Sequence, residues 1–516
     1  MANIAGIDLG TTFSALAILN SVGRPEIVPN ADGERLTASA IFFDEENPEV
    51  IRVGVEAINS RHINAERSVR WIKRHMGDSE YRRKIDGKDW TPVELSSLIL
   101  KKLKQDCSAD RGEINDAVIS VPAHFDEIRR KATMDAGTMA GLNVIGIVNE
   151  PVAAALYYAT TREVSGKVLV YDLGGGTFDV TILEVSGHNM EIICSQGDHA
   201  LGGVDFDKEI LKILEQCYKD KFGAELISSD EDRAKYEDEA EDIKKTLSRR
   251  RVAKKMLYGP SGSLKAEITR EMFEQAIASL IARTEILLEV ALEEAGIAPA
   301  KIDKVLLVGG STRIPLVQKN LEKRFGFAPD GTVNVDECVA LGAALHAGLT
   351  ALRDKPDSVP AGISNGLKDI HLTDVCNHSY GTICAPIDKE TGRRVIANRI
   401  ILKKNTPLPC ENEQMFYTMS QGQKEIEVTV TQGEDTAVEY VNKISTHKFK
   451  LPANRPAGCP IKVTYGYDVN QRMHCRFEDV QSGRVLEVDF SLDKNGEMSE
   501  GDVRQKAGAL KAVQVE

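Results

Sequence analysis

The sequence lacks the features that mark a membrane protein, a disulfide-linked protein or a protein that binds nucleic acid through charge. It contains no apolar run of about 18 residues, the length that a membrane-spanning helix needs. Its formal net charge is −13, which disfavours binding to nucleic acid or to an anionic membrane. Its nine cysteines are scattered and form no Cys-x-x-Cys pair, which is typical of proteins with reduced thiols and without a zinc site.

The two commonest nucleotide-binding signatures are also missing. Neither Gly-x-x-x-x-Gly-Lys-Ser/Thr nor Gly-x-Gly-x-x-Gly occurs, which excludes a P-loop or a Rossmann site. The first strand-like run begins at Asn3 and leaves no room for a signal peptide, so we expect a cytoplasmic protein. The chain has 516 residues, 42% of them apolar and 28% charged, which is typical of a soluble protein with roughly two to four domains.

What the sequence does contain is a glycine-rich hairpin that occurs twice. Residues 7–12 read Ile-Asp-Leu-Gly-Thr-Thr and residues 171–179 read Tyr-Asp-Leu-Gly-Gly-Gly-Thr-Phe-Asp, each between two apolar runs. Glycine lets successive backbone N–H groups face one anion, and the aspartates Asp8 and Asp172 can hold a hydrated magnesium ion. We therefore expect both turns to enclose the β- and γ-phosphates of one nucleotide, with these residues around them: Gly10, Thr11, Thr12, Gly174, Gly175, Gly176 and Thr177.

Two further patterns are suited to a nucleoside. In residues 308–315, Val-Gly-Gly-Ser-Thr-Arg-Ile-Pro, the glycines permit the close approach of a flat ring, and the planar guanidinium of Arg313 can stack on adenine. Four residues at helical spacing would share one helix face towards ribose and base: Glu241, Lys244, Lys245 and Ser248. Taken alone, the first pattern also fits a tight turn with a surface arginine, and the second fits a solvated helix face.

The chain changes character near residue 355. Up to that point strand-like and helical stretches alternate, and helical spacing over Arg270–Ala295 predicts one long helix. This alternation favours an α/β architecture in which helices cover the sheets. Prolines and glycines in residues 356–362 then interrupt the pattern.

Beyond residue 375 the periodicity is that of strands. Alternating apolar residues in 425–432, 461–467 and 485–490 predict an antiparallel β-sandwich. The last stretch, 499–515, is predicted to be a helix capped by Ser499. Its apolar face would carry Val503, Ala507, Leu510 and Val513.

The hairpins occur together with other phrases whose order resembles one family. Val-Pro-Ala-His-Phe begins at residue 121, Asn-Glu-Pro-Val-Ala-Ala-Ala-Leu at 149 and Leu-Gly-Gly-Val-Asp-Phe-Asp at 201. The set resembles the heat-shock 70, or DnaK-type, chaperones, strongly over residues 1–350 and more weakly over 369–515. The resemblance implies an actin-like ATPase domain with two RNase H-like lobes, a linker, an antiparallel β-sandwich for substrate and a helical stub, at residues 1–355, 356–374, 375–493 and 494–516 respectively.

The resemblance also implies roles for individual residues. Lys73 would contact the γ-phosphate and the attacking water, and Glu150, Asp172 and Thr177 would order that water and the metal. Pro122 and Arg130 would link the nucleotide state to the sandwich. The metal residues would be Asp8, Asp172 and Asp179.

The nucleotide itself would have two further sets of neighbours. Gly202 and Gly203 would form a loop beside phosphate or ribose. The adenosine pocket would consist of Glu241, Lys244, Lys245, Ser248, Gly309, Gly310, Ser311, Arg313 and Asp336. The implied cofactors are ATP or ADP, Mg²⁺ and K⁺.

The implied activity is that of a monomeric, ATP-hydrolysing chaperone that binds and releases unfolded or extended hydrophobic peptides. A J-domain co-chaperone and a nucleotide-exchange factor would be its partners. The peptide cleft would lie near Met419, Ile426 and Val428. A regulatory or scaffold protein with little hydrolysis and one dedicated partner is the alternative, and a sugar or acetate kinase would explain the hairpins but not the sandwich.

Several segments depart from the family pattern. The segment 77–91 is much shorter than in most members of the family. Gly146 stands at the position where many members have an arginine that contacts a J-domain co-chaperone. The linker, Asp369-Ile370-His371-Leu372-Thr373-Asp374, has fewer leucines than usual. We also expect the protein to lack the helical lid that follows the sandwich in the family. We therefore expect weakened coupling between the domains and rapid release of bound peptide.

Overall fold

The structure is a computed structural model that describes residues 3–162, 164–388, 390–489, 500–511 and 513–516. Within these residues, no helix is both long and apolar enough to cross a membrane. The chain forms two α/β lobes, a β-sandwich and a C-terminal segment that returns to the first lobe.

The first lobe contains a mixed sheet with the strand order β11-β10-β1-β2-β3, and β4 pairs with β2. Its elements are β1 Asn3–Asp8, β2 Phe13–Leu19, β3 Pro25–Ile27, β4 Thr37–Ala38, β5 Ala40–Phe43, β6 Val50–Val53, α1 Val55–Ser60, β7 Ser68–Arg70, β8 Arg83–Ile85, β9 Lys88–Trp90, α2 Pro92–Arg111, β10 Ile114–Val121, α3 Glu127–Met139 and β11 Asn143–Asn149. A capping box between Thr91 and Glu94 starts α2, whose buried face covers the sheet. Asp8 lies at the carboxyl end of β1, a central strand of this sheet.

The second lobe repeats this plan around a sheet with the strand order β17-β12-β13-β14-β18. Its elements, with those that close the first lobe, are α4 Glu150–Thr161, β12 Ser165–Leu173, β13 Phe178–Ser186, β14 Asn189–Asp198, α5 Gly203–Phe222, α6 Asp230–Arg249, β15 Val252–Gly259, β16 Gly262–Thr269, α7 Arg270–Ala276, α8 Ala278–Ala295, β17 Lys304–Val308, α9 Pro315–Phe325, α10 Cys338–Asp354, α11 Ala361–Leu367 and β18 His371–Thr373. The prediction of one helix over Arg270–Ala295 is wrong in one respect, because the structure has two helices that are separated at Ile277. Ile277 is fully buried, so packing rather than a glycine or proline sets this break.

The two lobes meet where α4 and α10 cross between their sheets. A Cβ atom at Gly342 of α10 would lie 1.7 Å from the Ala153 carbonyl oxygen of α4, and one at Gly6 of β1 would lie 1.9 Å from the Ala344 backbone nitrogen. Only glycine permits such close approach. These contacts hold the ends of β1 and β12 on either side of one cleft.

The sandwich packs two sheets, ordered β20-β19-β22-β23 and β21-β24-β25-β26, around buried aromatic and aliphatic side chains. Its strands are β19 Tyr380–Cys384, β20 Ala397–Leu402, β21 Cys410–Tyr417, β22 Glu425–Gln432, β23 Asn442–Lys450, β24 Pro460–Tyr467, β25 Met473–Asp479 and β26 Arg484–Asp489. The fold class predicted from the sequence, an α/β domain followed by an antiparallel sandwich, is confirmed.

The C-terminal segment differs from the single helix predicted for it. Helix α12 spans Glu500–Lys511 and is followed by a short strand, β27 Gln514–Val515, while the predicted cap Ser499 lies outside the described residues. Strand β27 pairs in parallel with β6, and the Val53 N–H donates to the Glu516 carbonyl at 2.8 Å. The otherwise unpaired edge of β6 thus offers hydrogen-bond partners to the backbone of β27, so the chain forms a strand there instead of continuing as a helix. Val503 and Leu510 are buried in the core of the first lobe.

Candidate nucleotide site

The two glycine-rich turns face each other across the cleft. A Cβ atom at Gly175 would lie 2.2 Å from Thr12 Oγ1, and one at Gly176 would lie 2.6 Å from Thr11 Oγ1. Strands β1 and β2 pair with Asp8 opposite Ala15, while β12 and β13 pair with Asp172 opposite Asp179. The repeated hairpin therefore brings both turns to one point, as the sequence analysis expected.

The cleft between the lobes has a volume of about 380 Å³. Most of the predicted site residues line it: Asp8, Gly10, Thr11, Thr12, Lys73, Glu150, Asp172, Gly174, Gly175, Thr177, Glu241, Lys244, Lys245, Ser248, Gly309, Gly310, Ser311, Arg313 and Asp336. Residues from both lobes and from separate motifs thus share one cavity. Its dimensions are those of a ligand pocket for a molecule of nucleotide size.

Four predicted residues do not belong to the cleft lining: Gly176, Gly202, Gly203 and Asp179. Gly203 donates its N–H to the Gly174 carbonyl at 3.0 Å, so this group is already used in holding the phosphate turn. Gly202 packs against the backbone of Gly175 and Gly176. Asp179 is 1% exposed and accepts the His124 N–H at 3.2 Å. Direct contact of these residues with nucleotide or metal stays a prediction.

Sequence reasoning missed the apolar part of the lining, which consists of Phe13, Leu36, Val308, Ile314, Val335 and Val339, and also missed Arg249. Phe13 directly follows the first glycine-rich turn, and Val308 and Ile314 lie within residues 308–315, so their neighbours could have indicated them. Leu36, Val335 and Val339 carry no local signal, because a buried aliphatic residue at the cleft resembles any core residue.

A buried lysine and a buried carboxylate lie at the end of the cleft that is predicted to hold the phosphates. Trp71 adopts a left-handed conformation at φ 58°, after which a short 3₁₀ turn over Ile72–His75 carries Lys73 inward. Lys73 Nζ forms an ion pair with Glu150, the first residue of α4. Burial lowers the pKa of Lys73, but the charges of Glu150 and Asp8 outweigh it, so the net shift is upward and the ammonium stays charged.

The surrounding aspartates carry more negative charge than this lysine balances. Burial and then the charge of Glu150 raise the pKa of Asp8 to about 7 and that of Asp179 to about 8. The same causes raise the pKa of Asp172 well above its ordinary range. Ser120 Oγ donates to Asp8 Oδ1 at 2.9 Å and orients that carboxylate. A divalent cation would favour the ionised form of all three carboxylates.

The donor set fits a hydrated metal better than a directly coordinated one. Among the described residues, no three histidine, cysteine or acidic side chains converge closely enough to hold a metal ion on their own. Mg²⁺ usually keeps several waters and takes one or two carboxylates together with phosphate oxygens. Asp8, Asp172 and Asp179 therefore suit Mg²⁺ that is held through water and phosphate.

The part of the cleft that is predicted to hold the nucleoside is organised by ion pairs. Arg313 forms a bidentate pair with Asp336 at 3.0 and 2.6 Å, which holds its guanidinium plane in place. Glu241 accepts from Arg70 of the first lobe at 2.9 Å and pairs with Lys245 at 2.8 Å. Burial alone would raise the pKa of Glu241, but Lys245 and Arg70 lower it to about 2.

Three arginines of the first lobe reach acidic residues of the second across the top of the cleft. Arg61 pairs with Glu237 and with Asp238, the latter at 3.0 Å, and Arg70 pairs with the same Asp238. Arg74 lies 3.0 Å from Asp205 at the start of α5. These ion pairs join the two lobes beside the cleft.

The sandwich docks on the first lobe beside this site. Tyr380 and Tyr467 donate their hydroxyls to Glu127 Oε1 at 2.6 and 2.7 Å, and all three side chains are buried. Arg130 donates to Asn149 Oδ1 at 2.8 Å, next to Glu150, and also to Gln471 of the sandwich. One arginine thus contacts both the cleft wall and the second domain.

The linker is ordered in the same arrangement. Residues His371–Thr373 form β18, which pairs in parallel with β14 of the second lobe. Asp374, which follows, accepts from Gln471, and burial raises its pKa to about 6. Ile370 and Leu372 pack against the core between the lobes.

Comparison with known proteins agrees with this geometry. The family model described as "Hsp70 protein" matches residues 4–509. The chain is 38% identical to the chaperone protein DnaK of Thermotoga neapolitana and 37% identical to that of Thermotoga petrophila. Each alignment is 514 residues long and covers 97% of this chain and 82% of the relative. The resemblance drawn from the motifs is therefore confirmed, and the chain belongs to the Hsp70 family.

Proposed function

We propose that this protein is an ATP-hydrolysing chaperone that binds and releases unfolded or extended hydrophobic polypeptide. The observation that carries the proposal is the closure of two glycine-rich turns over one cleft with the Lys73–Glu150 pair between the two aspartates. The DnaK name of the relatives supports the same activity. Positioning and charge neutralisation account for most of the catalysis of phosphoryl transfer.

Each part of the cleft has a task in this proposal. The turns at Gly10–Thr12 and Gly174–Thr177 hold the β- and γ-phosphates, and Lys73 neutralises charge on the γ-phosphate. Glu150 and Thr177 orient the attacking water, which Glu150 can also deprotonate. When bound, Mg²⁺ supplies positive charge to the phosphates, with Asp8, Asp172 and Asp179 holding its waters and K⁺ nearby. Arg313 and the face of α6 hold the adenosine.

The proposed peptide surface lies on the sandwich, although one residue expected there does not reach it. Val428 belongs to the buried sandwich core, and Ile426 packs against that core. Met415, Tyr417 and Met419, in contrast, are 41%, 63% and 50% exposed on and after β21. Methionine adapts to varied apolar partners, so we place extended hydrophobic peptides on this side. A J-domain co-chaperone, an exchange factor, a monomeric state and a cytoplasmic location complete the proposal.

Single-turnover hydrolysis of ATP with magnesium tests the enzymatic part. We expect Lys73→Ala to slow hydrolysis at least about a hundredfold while ADP still binds, because Lys73 acts on the transferred phosphoryl group. Lys102→Ala is the matched control, since Lys102 pairs with Asp106 on α2, away from the cleft. If wild type hydrolyses ATP no faster than Lys73→Ala, the protein is not an ATPase of this type.

A fluorescent unfolded peptide tests the chaperone part. We expect weaker binding with ATP than with ADP, and loss of binding when Tyr417 and Met419 are both replaced by serine. A regulatory protein with one dedicated partner is the second candidate, and the tail strand β27, which ties the chain beyond the sandwich to the first lobe, favours it. That candidate predicts equal peptide binding in both nucleotides.

A further inference from the structure

The lysine at the nucleoside end of the cleft is held more tightly than its neighbour on the same helix. Lys244 Nζ lies 2.7 Å from Asp207 Oδ2 and donates to the Gly203 carbonyl at 3.0 Å, and its side chain is 13% exposed. Lys245 forms an ion pair with Glu241 and lies 5.7 Å from the centre of the Phe13 ring, and its side chain is 52% exposed. Both lysines line the cleft, but only Lys244 has a restricted position.

The hydrogen bonds of Lys244 can be counted. A lysine ammonium has three N–H donors and no acceptor. Asp207 and the Gly203 carbonyl take two of them, on the side of α5, which leaves one donor for the cleft that Lys244 lines. Because two bonds fix the rotation of the ammonium, the direction of the third donor is fixed as well.

Asp207 lies outside the cleft lining and on a different helix from Lys244. It follows Gly203 by one turn of α5, so one helix terminus supplies both acceptors. The carboxylate is largely buried, and Oδ1 has no hydrogen-bond partner among the described residues. Burial raises the pKa of Asp207 to about 6, and the charge of Lys244 opposes that rise. The protein thus keeps a costly buried carboxylate in contact with this lysine.

The neighbourhood shows what Lys244 would contact without Asp207. The anionic groups within reach are Glu241, one turn earlier on α6, and the phosphates of a bound nucleotide. A flexible ammonium would move to those charges, and its last donor would then leave the nucleoside end of the cleft.

We propose that Asp207 is a positioning residue that holds Lys244 towards the ribose hydroxyls and so makes the site select ribonucleotides. The inference rests on the proposed function, because it deepens the recognition of ATP and ADP at the same cleft. Asp207 acts through Lys244 and needs no contact with the nucleotide.

Calorimetric binding of ADP and of 2′,3′-dideoxy-ADP, both with magnesium, tests the proposal. We expect wild type to prefer ADP, and Asp207→Asn to weaken ADP binding about tenfold, the size of one charged hydrogen bond, while dideoxy-ADP binding hardly changes. In a Lys244→Met background, Asp207→Asn should have no further effect. Glu209→Gln is the matched control, because Glu209 pairs with Lys212 on the outer face of α5.

The outcomes separate this inference from the proposed function. If wild type binds neither nucleotide, both fall. If wild type binds ADP and Asp207→Asn binds it equally well, or loses both nucleotides to the same degree, or adds to the effect of Lys244→Met, only the positioning role is overturned. Should Asp207→Asn melt below the assay temperature, Asp207→Ser is compared in the same way and with the same expectation.

Discussion

The nucleotide cleft and the interface between the first lobe and the sandwich are neighbouring sites with opposite electrostatic character. In the cleft, Lys73 faces Asp8, Asp172, Asp179 and Glu150, and burial raises the pKa of the three aspartates. At the interface, Glu127 already has two tyrosine donors, and Arg130 has four acceptors in the protein. The cleft therefore needs a cationic ligand to balance its charge, whereas Glu127 and Arg130 find their partners within the protein and need only the interface to stay closed.

Replacing Glu150 by glutamine gives the largest effect that separates the two sites. We expect single-turnover hydrolysis to slow about a thousandfold, because the amide neither deprotonates water nor balances Lys73. Docking of the sandwich should not change, since Glu150 does not contact it. Hydrogen exchange of residues 125–131 and 463–468, measured by mass spectrometry, reports docking. Faster exchange of these segments in Glu150→Gln would show that the sites are not separable.

Replacing Glu127 by alanine tests the opposite site. The change removes the acceptor of two buried hydroxyls and leaves them without a partner, which costs about 3 kcal/mol of docking free energy. We expect rapid exchange of residues 463–468 and unchanged ADP affinity.

The control for this change lies on the same helix. Asp135→Asn removes the charge that pairs with Lys131 on α3 but touches neither tyrosine. If Glu127→Ala weakens ADP binding as strongly as it weakens docking, the contrast between the two sites is wrong.

The same contrast explains what could be predicted from the sequence. The turns at Gly10 and Gly175 were recognisable because a backbone that surrounds an anion needs glycine within a few consecutive residues. Glu127 is separated from Tyr380 and Tyr467 by 253 and 340 residues, and each of the three is an ordinary residue of its own helix or strand. Their meeting depends on the tertiary arrangement, which no local pattern encodes.

Two further differences have the same origin. Gly203 belongs to a recognisable phrase, yet it lies behind the phosphate turn, because its N–H bonds to the Gly174 carbonyl. The strand β27 follows a helical pattern, yet it forms because main-chain groups of β6 are open to it. Main-chain pairing leaves little trace in side-chain sequence, so short patterns do not reveal it.

Lowering the pH should also distinguish the interface from the cleft. The expected effect is a weaker docking of the sandwich that depends on His378, and it is smaller than the effects of the substitutions above. This half-buried side chain at the start of the sandwich hydrogen-bonds to the Phe125 carbonyl at 3.1 Å, and its ring lies 5.1 Å from that of His124. Burial, then the charges of His124 and Arg130, lower its pKa well below the ordinary value of 6.5. The docked state therefore holds His378 neutral. The contribution of His378 to the free energy of docking is present above pH 6.5 and is lost as pH falls. At pH 5.5 the loss is about tenfold in the docking equilibrium.

A comparison with His378→Gln at each pH isolates this histidine. Glutamine retains a donor for the Phe125 carbonyl and does not titrate. Burial raises the pKa of Glu127 and Asp374, which strengthens docking as pH falls, and it lowers the pKa of His124. These groups and the nearby Lys404 are present in both proteins, so their effects cancel. Equal pH dependence in wild type and variant would rule out the role of His378.

The smallest expected effect concerns the tail strand β27. Its backbone groups have hydrogen-bond partners within the protein, as Glu127 and Arg130 do at the interface, but the strand is short. Val515 is buried against the first lobe, and two backbone hydrogen bonds join Ile51 and Val53 to Glu516. Removing residues 514–516 should lower the stability of the first lobe by about 1 kcal/mol and speed exchange at the Val53 amide. Lys101, which donates to the Leu510 and Val513 carbonyls, would still hold α12. ADP affinity should stay unchanged, because β6 lies away from the cleft lining. A change in ADP affinity without faster exchange at Val53 would mean that the tail acts on the nucleotide site instead of on the edge of β6.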